Sequence, residues 1–191
     1  MKNKIRVKDK RHLTQLIEIE IELHGQQCDL NHLDVSHITD INCLFSNSLF
    51  NGDISQWDVS KVEKMNLLFA YSKFNGDISN WNVSNVKDMS YMFEGSVFNG
   101  KLSKWKISKV KNMKGMFNNS VFTEDLIEWE PYSVENFGSM FYNCSAPIPY
   151  WAEIMNQKLR IKEIKSYHLA KKLNQELIKN SNRKSFKKIK I

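Results

Sequence analysis

The sequence predicts an α/β repeat solenoid of five 24-residue units, each a short strand followed by a short helix, with helical caps at both ends. Three observations predict it. The first is self-similarity. "FNGDISQWDVSKVEKMNLLF" begins at Phe50, "FNGDISNWNVSNVKDMSYMF" at Phe74 and "FNGKLSKWKISKVKNMKGMF" at Phe98. A diverged copy, "FTEDLIEWEPYSVENFGSMF", begins at Phe122, and "QQCDLNHLDVSHITDINCLF" precedes them at Gln26. Every start is offset by 24 residues, without insertion. Periods of 20–50 residues mark stacked-unit architectures. The second observation is that particular positions are apolar in nearly every copy. The third is that the pattern fails at both ends, where a stack needs caps.

The elements follow in chain order. Residues 1–25 are expected to form an N-terminal helical cap. In "DKRHLTQLIEIEIELHG", Leu13, Leu16, Ile17, Ile21 and Leu23 make an apolar stripe that Gly25 can stop. Residues 26–145 hold the five units. Their first half, such as "ISNWNVS", alternates around Trp81 and Val83, which is strand period. Their second half, such as "VKDMSYMF", spaces Val86, Met89, Met92 and Phe93 at helical period over two turns. Asp40, Asp88 and Asn112 are candidate caps for these helices. Helices this short need a neighbour, which the next unit supplies. Asn51–Gly52, Asn75–Gly76 and Asn99–Gly100 mark the turns between units, Gly for its tolerance of positive φ and Asn, in a buried stacked column, for turn carbonyls. Pro131 in the strand and Thr123–Glu124 in place of Asn-Gly mark the last unit as terminal. Pro147 and Pro149 end the array, and residues 146–191 are expected to be helical and lysine-rich.

The pattern "FNGDISxWxVSxVxxMxxMF" resembles a bacterial surface-protein repeat of about 25 residues, of listerial and mycoplasmal type, related to BspA-type leucine-rich repeats. The resemblance covers roughly residues 26–145. It implies a leucine-rich-repeat-like solenoid that binds rather than catalyses. Members of such families are often secreted or surface-anchored. This sequence has no apolar leader, and no apolar run spans a bilayer. Its three cysteines form no CxxC pair, so a reducing cytoplasm is the expected location.

Composition narrows function. The formal charge of +7 is uneven. Residues 150–191 hold 12 Lys/Arg against 3 Asp/Glu, and residues 1–149 hold 16 against 18. No HExxH, P-loop, GxGxxG or GxSxG occurs, so neither catalytic residue nor cofactor is expected. Cys28, His32, His37 and Cys43 fit no standard zinc spacing, and His32 aligns with variable positions that are expected to be exposed. The tryptophan column reads as core, and Asp29, Asp53, Asp77 and Asp125 read as turn residues. Function should lie in the variable columns. These run from acidic (Asp53, Asp58) to strongly basic (Lys101, Lys104, Lys106, Lys109, Lys111) and back to acidic (Glu128, Glu130). The reading they favour is a non-catalytic protein–protein interaction face, banded in charge. The alternatives are a surface or adhesin-type structural protein, and a nucleic-acid-associated protein or mobile-element inhibitor of a nucleic-acid-handling complex. The last would act through Arg183, Lys184, Lys187, Lys188 and Lys190.

Overall fold

The structure is a computed structural model. It describes the backbone of residues 4–188 and the side chains of residues 4–180. The chain divides into two units, Met1–Glu153 and Ile154–Ile191. The division falls after the 3-10 turn Tyr150–Glu153, which therefore belongs with the repeats.

The first unit opens with β1 (Ile5–Arg6), a two-residue strand that sequence alone did not foresee. It pairs in parallel with β2 (Leu33–Asp34), Ile5 opposite Leu33 and Arg6 opposite Asp34. Between them α1 spans Lys10–His24. Asp9 caps its start, accepting from the His12 amide at 2.8 Å. Gly25, at φ 82°, ends it and donates to the Ile21 carbonyl. Leu13 and Ile17 carry its buried face, whereas Leu23, part of the expected stripe, is exposed.

From Gln26 to Ser145 each 24-residue unit lies as a layer on the next. Parallel bridges join Asp29 to Asp53, and run from Asp40 through Lys64, Asp88 and Asn112 to Asn136. Among the described residues of these layers, the only strand is β2 and no helix forms. Both the expected strands and the expected short helices are instead chains of reverse turns. In layer 3, i+3→i amide bonds close turns ending at Trp81, Val86, Met92, Glu94 and Ser96. A turn returns the chain inward about every third residue, so it produces the same apolar spacing as two helical turns. Asp40, Asp88 and Asn112 are accordingly not helix caps. Each accepts from the amide two residues on, at 2.9, 2.9 and 3.1 Å.

Positive φ occurs at two columns: Cys43, Leu67, Tyr91, Gly115 and Ser139, and Asn47, Tyr71, Gly95, Asn119 and Asn143. Leu67, Tyr71 and Tyr91 hold it against a cost of roughly 1–2 kcal/mol each. Gly52, Gly76 and Gly100 do not adopt it. They are glycine because other atoms lie where a Cβ would go. The Asn column also differs from expectation. It is not buried, Asn51 being half-buried and Asn75 and Asn99 exposed, and each Asn oxygen accepts an amide from the next layer. Asn51 takes Asn75, Asn75 takes Asn99, and Asn99 takes Thr123, at 2.8–2.9 Å.

The core is a set of stacked columns. Phe45, Phe69, Phe93, Phe117 and Phe141 lie 5.6–5.9 Å apart, and Phe50, Phe74, Phe98 and Phe122 lie beside them. The tryptophans are buried as expected, and each indole reaches back to the preceding layer. Trp57 donates to the Leu30 carbonyl, Trp81 to Ile54, Trp105 to Ile78 and Trp129 to Leu102. Trp151 continues the column, donating to Leu126 at 3.3 Å, so the 3-10 turn closes this wall. Pro131 fits because its column makes no use of the amide. Among the described residues, the amides of Val59, Val83 and Ile107 have no backbone acceptor. The turn survives, with the Val134 amide donating to the Pro131 carbonyl.

In the second unit, α2 spans Gln157–Lys188. The side chains of Arg183, Lys184, Lys187 and Lys188, and all of Lys190, lie outside the described residues.

Candidate partner-binding face

The turn-rich layers put the variable positions on their outer surface. Ile54, Trp57, Val59 and Val62 turn inward in layer 2, and the residues between them turn outward. In layer 4 those outward positions are Lys101, Lys104, Lys106 and Lys109, all exposed. Lys104 and Lys106 share an open depression of about 410 Å³ with Glu128 and Glu130 of layer 5. Four residues chosen from sequence thus meet in one place. The same depression is lined by Ser103, Trp105, Ile107 and Ser108. The two serines were not singled out from sequence. Their signal is weak, because Ser recurs at these positions in other units as a turn residue.

The remaining positions divide. Lys109 Nζ is held by Asn85 Oδ1 at 2.8 Å, and Lys111 by Glu135 at 3.3 Å. Lys87 and Glu63 pair one layer apart in the same column, at 2.8 Å. Within the lysine band, Lys111 is thus matched by a carboxylate of the next layer and Lys109 by an amide of the preceding one. Such exposed pairs add about 0–1 kcal/mol each. Asp53 and Asp58 lie away from the depression and serve the backbone, accepting from the Ser55 and Ser60 amides at 2.8 and 3.0 Å.

These turns have an electrostatic signature. The Ser55 amide chiefly holds the Asp53 carboxyl below its usual value, and the Ser60 hydroxyl that of Asp58. The Ser79 amide does the same for Asp77, with Lys104 adding attraction, and the Ser36 hydroxyl for Asp34. A carboxyl with a depressed folded value contributes stability above its unfolded value and loses it as pH falls through the folded one. Melting temperature should therefore fall as pH drops below about 4. Asp34→Asn, Asp53→Asn, Asp58→Asn and Asp77→Asn together should flatten that fall, because Asn keeps the acceptor without the charge. Asn82, Asn112 and Asn136 already do so in equivalent turns. An unchanged acid slope in the quadruple variant would locate the linkage elsewhere.

Among the described residues, no group of three or more His, Cys, Asp or Glu could hold an ion. His32 is not on the exposed surface that its variable column suggested. Its side chain is only 10% exposed, and Nε2 lies 3.1 Å from Glu20 of α1. The cap covers the first layer, which removes this column from solvent there. Cys28 is buried, Cys43 is exposed, and all three cysteines are free. Among the described residues, no helix is long and apolar enough to cross a membrane.

Residues 17–120 and 95–180 match, in two overlapping stretches, a family described as "Mycoplasma protein of unknown function, DUF285". The chain belongs to this family. The two matches together run from α1 into α2. Their overlap at residues 95–120 reflects the internal repetition, since layer 4 aligns with either stretch. Membership establishes a mycoplasmal-type repeat protein. No curated protein and no solved structure matches the chain.

Proposed function

We propose that this chain is a non-catalytic protein–protein interaction module, built on a leucine-rich-repeat-like solenoid and presenting a charge-banded wall to a protein partner. The observation that carries the reading is the shared depression of Lys104, Lys106, Glu128 and Glu130. It brings two signs of charge from adjacent layers onto one surface, over a core that cannot rearrange cheaply. Membership of a repeat family of unknown function is compatible with this role. The acidic neighbours also count against a long polyanion, which would meet Asp53 and Asp58 on one side and Glu128 and Glu130 on the other.

Charges at the rim of an interface act chiefly on association rate and its salt dependence. The triple variant Lys101→Gln, Lys104→Gln, Lys106→Gln should therefore slow capture of the partner several-fold at low salt. Its melting temperature should stay within a degree or two, as for surface changes generally. The partner is obtained by cross-linking and pull-down with the wild-type chain, and the rate is measured on a sensor surface. An unaltered low-salt association rate would remove the lysine band from the interface.

A further inference from the structure

The lysines of α2 keep a strict period. Lys158, Lys165, Lys172 and Lys179 stand seven residues apart, and all four are exposed. Seven residues fall about 20° short of two helical turns, so the four form one row along the helix. An apolar row runs beside it. Leu159, Leu169, Leu173 and Leu177 are 48–64% exposed, although a leucine on an amphipathic helix is ordinarily turned to a core. In heptad terms the lysines fill successive g positions, Leu159 and Leu173 take a, Leu169 takes d and Leu177 takes e. The opposite side of the helix is the one already used. There Arg160 is 1% exposed and Ile164 0%, and Arg160 Nη1 donates to the Ile154 carbonyl at 3.0 Å.

Charge and pattern together select the occupant. From 157 to 180 the helix holds seven Lys or Arg and two acids. A second copy of α2 is a poor match. Side by side and antiparallel, the two would set lysine row against lysine row. In parallel, Lys158 would meet Glu163, but Lys165 would meet Ala170 and Lys172 would meet Leu177. A bilayer meets a helix symmetrically and takes a broad apolar face. Here the leucine row is narrow, Lys162 lies within it, and its second border carries Glu163 and Ala170 rather than cations. A nucleic acid would use the lysines and leave the leucines in water. Another helix satisfies both rows at once, with an apolar seam of its own and acids along one edge. Lys162 and Glu176, at d positions, confine that seam to the turns around Leu169 and Leu173, so the contact is short.

We infer that this face of α2 docks an acidic amphipathic helix of a partner protein. The partner's leucines or isoleucines pack on Leu169, Leu173 and Leu177, and its Glu or Asp residues face the lysine row. This is a second contact, on an element outside the repeat layers, and it does not depend on the lysine band there. The leucines supply most of the affinity. The lysine row fixes orientation and repels a helix with cations at the same positions. Ser166, at an a position, adds register, because only one alignment gives a polar group a polar neighbour.

The probes are two synthetic peptides of four heptads with Leu at a and d, one carrying Glu and the other Lys at every e and g. Each is labelled with fluorescein and titrated with the full-length protein, and anisotropy is read. The Glu peptide should bind one to one, more weakly as salt rises. The Lys peptide should bind roughly tenfold more weakly or worse. Lys158→Glu, Lys165→Glu, Lys172→Glu and Lys179→Glu together should reverse that preference. Leu169→Ala, Leu173→Ala and Leu177→Ala together should abolish binding of both peptides. Those side chains are exposed and Ala favours helix, so circular dichroism and melting should not change. Equal binding of the two peptides, no binding of the Glu peptide, or a preference that survives charge reversal would each overturn the inference. Sedimentation with phosphatidylglycerol vesicles, lost in the leucine variant, would assign the face to a membrane. Self-association of the free protein, lost in the same variant, would assign it to a second copy. Either result also overturns the inference. The Lys101→Gln, Lys104→Gln, Lys106→Gln variant should bind the Glu peptide as the wild type does, so failure of the layer face is read separately. Loss of binding in that variant alone would place the acidic helix on the layers and overturn the assignment to α2.

Discussion

Trp81→Ala should cost about 3–5 kcal/mol, the usual range for emptying the site of a large buried aromatic. At this chain length that lowers the melting temperature by about 10 °C, at roughly 2–4 °C per kcal/mol. Three losses coincide. The indole is 4% exposed, so its apolar burial goes. It lies parallel to Trp57 at 6.4 Å and tilted against Phe69 at 6.3 Å, so two ring contacts go. Its N–H is bonded to the Ile54 carbonyl at 3.1 Å, so a buried acceptor in the preceding layer is orphaned. Trp81→Phe separates the terms. It keeps most of the volume and loses the donor, and should cost about half as much. The measurement is thermal and urea unfolding of both variants. If Trp81→Ala melts with the wild type, the column does not carry the stack.

The columns were legible in the sequence because burial recurs at a fixed period, whatever backbone produces it. Leu30, Ile54, Ile78, Leu102 and Leu126 could be assigned to the core without knowing a single dihedral angle. The backbone itself was not legible. "VKDMSYMF" satisfies a helical spacing, yet Tyr91 at φ 56° breaks any helix there. A tyrosine gives no local hint of that conformation. It is imposed by the layers on either side, through bonds between residues separated by almost a full repeat. The lysine band was visible as composition. What could not be seen is that Lys111 meets Glu135, while Lys104 and Lys106 open onto Glu128 and Glu130, because that depends on the lateral register of two layers.

Gly52→Ala should be far more damaging than Gly100→Ala, although the two glycines sit in the same phrase of the repeat. Neither has a positive φ, so the difference is purely one of space. A Cβ on Gly52 would lie 2.0 Å from the Cys28 carbonyl oxygen and 2.9 Å from the Gln27 carbonyl carbon. Those are backbone atoms, and the Cys28 carbonyl also accepts the Asp53 amide at 3.1 Å. Relief requires layers 1 and 2 to separate, which breaks that bond and strains the neighbouring Asn51-to-Gln26 bond. The atoms nearest a Cβ on Gly100 all belong to the Phe98 ring, the first at 2.7 Å, and a ring can tilt. Overpacking of a well-filled site costs about 1–3 kcal/mol, and Gly52→Ala belongs at or above the top of that range, with Gly100→Ala near the bottom. The asymmetry arises because layer 1 reads Gln26-Gln27-Cys28 where later layers read Phe-Asn-Gly, so its chain approaches layer 2 more closely. Calorimetry on the two single variants decides the matter. Equal losses would mean that the Asn-Gly turns are interchangeable and that layer 1 is no closer to its neighbour than the others are.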